Sequence, residues 1–81
     1  MALSSEEIRE IAALKDIQEM WGAENADEMA ERLNHEVYAV KFDYQPETMP
    51  GYLGDYFILQ GGALGEALEL IRDENGALKI I

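Results

Sequence analysis

The stretch Ala63-Leu64-Gly65-Glu66-Ala67-Leu68-Glu69-Leu70-Ile71-Arg72-Asp73-Glu74-Asn75-Gly76-Ala77-Leu78-Lys79-Ile80-Ile81 holds the choice between two architectures. Read as a helix over 63–73, it sets Leu64, Ala67, Leu68 and Ile71 on one stripe. That helix would hold Gly65 in its interior and Asp73-Glu74 at its negative end, both unfavourable. Read as strands, it runs over 68–72, turns through Asp73-Glu74-Asn75-Gly76 and returns over 77–81. Asn75-Gly76 between two apolar runs is a good hairpin signal. The hairpin is the preferred reading, and a helical 63–73 is the alternative.

Upstream lie two further strands. Val37-Tyr38-Ala39-Val40-Lys41-Phe42-Asp43-Tyr44 alternates with period two. Tyr38, Val40, Phe42 and Tyr44 share one face, and Val37, Ala39, Lys41 and Asp43 the other. The aromatic face is expected to lie under the helices. Gln45 to Gly51 is a loop punctuated by Pro46 and Pro50. A second strand spans about 52–60, with Gly54 marking a bulge or a close approach. Both of its faces are largely apolar, so one is a candidate uncovered patch.

The first third reads as a helical hairpin. Ser4 and Glu7 stand at the positions of a capping box, with Leu3 and Ile8 as its hydrophobic staple. Ile8, Ile11, Leu14, Ile17 and Met20 recur every three residues, so the apolar stripe drifts about 60° backwards per step on a 3.6-residue turn. A helix over about 5–21 must therefore curve or touch two surfaces. Trp21-Gly22 ends it, with Gly22 suited to the left-handed cap. Asn25 caps a second helix over about 26–34, where Ala26, Met29, Ala30 and Leu33 form a clean stripe. Glu28 and Arg32 are a favourable i,i+4 pair, and Asn34 is suited to close the helix in the left-handed conformation. The reading is one α+β domain over 1–81: a helical hairpin packed on a small antiparallel sheet of about 37–44, 52–60, 68–72 and 77–81.

Composition narrows the function. The 81 residues hold 17 acids against six bases, one histidine and no cysteine, for a net charge of −11. Thiol chemistry and cysteine-ligated metals are excluded. Arg9, Lys15, Arg32, Lys41, Arg72 and Lys79 form no basic stripe, so direct binding to nucleic acid or to an anionic membrane is disfavoured. Glu6 and Glu7 stand where a secretory leader would carry bases, and no apolar run approaches a membrane span. A cytoplasmic protein is expected. With Ser4, Ser5 and Thr48 the only hydroxyl residues of their kind and His35 the only imidazole, a Ser–His–Asp site is not expected. No Walker loop or dinucleotide fingerprint is present.

Candidate site residues gather in and beside the loop between the first two strands: Tyr44, Pro50, Tyr52, Asp55 and Tyr56. Tyrosine joins apolar area to a polar tip, which suits an interface; the structural alternative is packing around a small core. Trp21 is a hot-spot residue type, with a plug between two helices as its alternative. His35 reads as a junction or surface residue beside the negative helix end. Glu24, Asp27, Glu28 and Glu31 read as a solvated acidic face rather than a hard-cation site.

The expectation is a small acidic, non-enzymatic binding or regulatory module for a protein partner, as a monomer or weak homodimer. The charge favours a basic partner, and no cofactor and no metal are expected. Two other readings stand beside it. One is a nucleic-acid mimic that inhibits a basic DNA- or RNA-binding protein, whose binding would fall steeply with salt. The other is a small-ligand binder. An enzyme built on paired carboxylates such as Asp43 and Asp55 has no sequence signature.

Overall fold

The computed structural model describes residues 3–44, 54–61, 64–73 and 75–81. In chain order they form helices α1 (Ser5–Ala12), α2 (Lys15–Met20) and α3 (Ala26–His35), then strands β1 (Val37–Tyr44), β2 (Gly54–Gly61), β3 (Leu64–Arg72) and β4 (Leu78–Ile80). The sheet is an antiparallel meander in the order β1-β2-β3-β4. The architecture is α+β, as expected.

The caps act as their sequences require. Ser4 Oγ accepts from the Glu7 amide at 3.2 Å, and Glu7 Oε1 accepts from the Ser4 amide at 2.8 Å, so two orphan donors are satisfied at once. Asn25 Oδ1 accepts from the Glu28 amide at 2.8 Å, and Glu28 accepts from the Glu24 amide at 2.9 Å.

The single helix expected over 5–21 is two. Leu14 is extended (φ −74°, ψ 121°) and stands at the start of α2. The three-residue apolar spacing is the cause. A continuous helix would have carried Ile17 well round from Ile11, whereas the break re-aims α2 so that Ile11, Ala12 and Ile17 are all buried in one core. Gln18 Nε2 donates to the Ala12 carbonyl at 2.7 Å, capping the end that the break exposes. At the end of α2, the Ala23 amide donates to Gln18 and the Gly22 amide to Glu19, with Gly22 at φ +68°; this is the Schellman pattern. Asn34 does not close α3. The helix runs on through His35, and among the described residues no non-glycine has positive φ.

The C-terminal strands are a hairpin, and the helical alternative for 63–73 is overturned. Leu68, Leu70 and Arg72 alternate onto the face that meets the helices, where Leu70 is fully buried. β3 starts at Leu64, earlier than the expected 68, through a register shift opposite Leu59 and Gly61. β4 is shorter than the expected 77–81. The turn is held by Asp73, whose Oδ1 accepts from the Asn75 and Ala77 amides at 2.9 Å each, while Gly76 takes φ +84°.

The faces of β1 are the reverse of those expected. Val37, Ala39 and Lys41 face the helices, whereas Tyr38 and Phe42 face away. The register pairs Lys41 with Phe57 and Ala39 with Leu59, and Phe57 and Leu59 are fully buried. Lys41 tolerates this side because Glu7 of α1 meets its ammonium at 2.8 Å. Its aliphatic stem packs while its charge is answered. The core lies between the helices and this covered face, built chiefly from Ile11, Ile17, Met29, Phe57, Leu59 and Leu70. Among the described residues no helix is long and apolar enough to cross a membrane.

Candidate protein-binding face

The helices pack on one side of the sheet; among the described residues the other side is built from strand residues. Cross-strand register fixes its membership: Tyr38 opposite Gln60, Val40 opposite Ile58, Phe42 opposite Tyr56, then Tyr56 opposite Ile71, Ile58 opposite Glu69, and Ile71 opposite Lys79. Tyr38 is 70% exposed and Phe42 47% exposed. The Phe42 and Tyr56 rings lie 6.3 Å apart at an interplanar angle of 50°, a tilted contact of the kind aromatic quadrupoles favour. Ile71 is only 3% exposed yet stands outside the core cluster under the helices. This face therefore has apolar packing of its own. Ile81, 58% exposed, extends the strip.

The described residues of the expected site, Trp21, Asp55 and Tyr56, do not assemble into one surface. Asp55 and Tyr56 are neighbours on a strand and so point to opposite faces. Tyr56 is on the open face beside Phe42. Asp55 is on the covered face, where its carboxylate accepts from Arg72 Nε at 3.0 Å. Trp21 is 4% exposed, and its Nε1 donates to the Gly61 carbonyl at 3.1 Å; it plugs the helix–sheet joint. Tyr44 pairs with Gly54 at the strand end, but its side chain, with Pro50 and Tyr52, lies outside the described residues. Tyr38 and Phe42, the most exposed aromatics described, belong to the face expected under the helices. The signal that could have found them is the alternation itself, once Lys41 is matched to an acid on a helix.

Gly61 shapes the far end of the sheet. Its φ is +128°, and a Cβ there would stand 2.7 Å from the Glu36 carbonyl oxygen. Only glycine lets β2 pass that close to the α3–β1 junction while presenting its own carbonyl to Trp21.

Charge at the helix–sheet seam is answered internally. Arg72 Nη1 and Nη2 grip Glu10 at 2.6 and 2.7 Å, Nη1 also donates to the Gly76 carbonyl at 2.9 Å, and the guanidinium carbon sits 5.7 Å from the Phe57 ring centroid. Glu10 above all, helped by Asp55, holds Arg72 more firmly protonated than a free guanidinium, against the effect of burial. The Lys41 ammonium, then the Ser4 amide, hold the Glu7 carboxyl below its ordinary range. On α3 the Glu24 amide, with Arg32, does the same for Glu28. Three of the six bases thus serve intramolecular pairs: Arg32, Lys41 and Arg72.

The other surfaces offer less chemistry. A groove of about 670 Å³ runs between α1 and α3, with Ile8, Ala12, Ala26 and Ala30 as its apolar lining and Arg9 and Glu31 at its edge. Glu31 pairs with His35 at 3.2 Å, both well exposed. Among the described residues no group of three or more histidines or acids is placed to hold a metal ion. Asp43 and Asp55 are backbone partners across β1 and β2, and Asp55 is engaged by Arg72.

No protein-family model, curated protein or solved structure matches this chain.

Proposed function

We propose that this chain is a non-catalytic protein-binding module that works through the open face of its sheet. The observation that carries the reading is the exposure of Tyr38 and Phe42 beside Tyr56 on a face that no described helix covers. A small domain has few large apolar side chains to leave in water. Exposed aromatic and aliphatic side chains rimmed by polar groups are the usual composition of a protein interface centre. Tyrosine adds rigid area with a polar tip at small conformational cost.

The test is capture of partners by the immobilised chain at low and high salt, with wild type and a Tyr38→Ser/Phe42→Ser variant side by side. A partner retained at high salt and lost with the variant supports the reading. A basic partner lost at high salt and indifferent to the variant overturns it in favour of the acidic surface as a nucleic-acid mimic, because exposed charge pairs are screened beyond about 10 Å at about 0.1 M salt.

A further inference from the structure

The open face can be assigned an occupant from its charge and its size. Although the chain carries −11 overall, the described residues that register on this face include one acid, Glu69, and one base, Lys79. Both are exposed. The excess acid lies elsewhere, much of it on the helices behind the sheet. A strongly basic partner would find little here to recognise. With one charge of each sign among its described residues, set diagonally across neighbouring strands, this surface can be complementary to itself under a two-fold axis. That is the condition an isologous contact must meet.

Size fits the same occupant. Strands about 4.8 Å apart, with about 3.4 Å per residue, give this face a projected area of roughly 450 Å². Side chains that stand up from the sheet raise the accessible area above that figure. Ile71, 3% exposed, is already packed within the monomer, so two copies face to face would bury at most about 1,000 Å² in total, in the range of weak contacts.

Resting on the protein-binding reading above, we infer that the occupant is a second copy of this chain, in a weak two-fold dimer. The two sheets pack face to face, Tyr38, Phe42 and Tyr56 lie at the centre, and Glu69 of each copy is directed toward Lys79 of the other. The acidic helices stay on the outside. Two bodies of charge −11 repel at long range, so the dimer tightens as salt rises. This is opposite in sign to the salt response of a charge-driven complex.

Sedimentation equilibrium of the full chain from about 1 μM to about 1 mM, at low and high salt, tests the inference. The expected result is a weight-average mass that climbs from 9.1 kDa toward twice that value, with a midpoint that falls as salt rises. Phe42→Glu and Tyr38→Glu are each expected to raise the midpoint at least about tenfold. Tyr38 is so exposed that its variant keeps the test valid should Phe42→Glu fail to fold, as checked by circular dichroism. Lys79→Glu is expected to weaken the dimer, and adding Glu69→Lys to restore it. A monomer at every concentration overturns the inference, as does a dimer whose midpoint neither aromatic variant moves. If the chain is monomeric while the Tyr38→Ser/Phe42→Ser variant still loses a captured partner, the second copy is wrong and the protein-binding reading survives.

Discussion

On the covered face of the sheet, Val37, Ala39 and Lys41 of β1 meet the helices; on the open face, Tyr38, Val40 and Phe42 of the same strand meet none of the described helices. By side-chain type the second set is the better core. The first is chosen because Lys41 finds Glu7, and because Phe57, Leu59 and Leu70 from the neighbouring strands already supply the volume. What lies across the interface therefore settles which face is buried, more than how apolar that face's own residues are. The same rule leaves Tyr38 and Phe42 exposed outside the core.

One substitution on each face puts this contrast at risk. Phe57→Ala removes a fully buried ring and is expected to cost about 3–5 kcal/mol in denaturant unfolding. Tyr38→Ser, on the exposed side, is expected to stay within about 0.5 kcal/mol. Equal costs would mean that Tyr38 is also core. Next in size is Gly61→Ala, which combines a positive φ with a 2.7 Å approach to the Glu36 carbonyl. It is expected to lose about 2 kcal/mol or more and to shift the fluorescence of Trp21, whose indole donates to the same residue. An unchanged emission spectrum would argue against that seam.

Much of the fold is written in short-range signals. The Ser4–Glu7 and Asn25–Glu28 caps, the Gly22 stop and the Asp73–Gly76 turn each depend on residues close together in the chain, so the sequence displays them. The break at Leu14 is less visible, because it answers where Ile17 must go in three dimensions. The side of β1 that is covered is less visible still, because it rests on a pair 34 residues apart. For the site, Tyr56 and the plugging role of Trp21 follow from residue type and position. Tyr38 and Phe42 needed the same distant pairing before they could be placed.

On the covered side, the weight carried by charge is measured at Arg72. Arg72→Met removes the ties to Glu10, Asp55 and Gly76 while keeping most of the stem, and is expected to cost about 1–3 kcal/mol. A loss near zero would place the pair among ordinary surface salt bridges.

The smallest effect concerns pH. The folded-state pKa of Glu7 is depressed by Lys41 and Ser4, so between that value and its ordinary one the unfolded chain binds more protons. Its contribution is present in full above the ordinary carboxylate range and is lost as pH falls through the depressed value. Glu7→Gln is expected to flatten the fall in stability over that acid window. Denaturant midpoints for both proteins stepped from neutral to acid pH would check this. Parallel curves would show that Lys41 holds Glu7 no more tightly than water does.

The tie between Glu10 and Arg72 spans 62 positions in the chain, whereas the meander is made of neighbouring strands and the helix caps of neighbouring residues. Loop-closure entropy makes such a distant tie late to form. Its removal is then expected to leave the refolding rate nearly unchanged and to speed unfolding. The guanidinium that joins the first helix to the third strand would act less as a guide to the folded state than as a brake on leaving it.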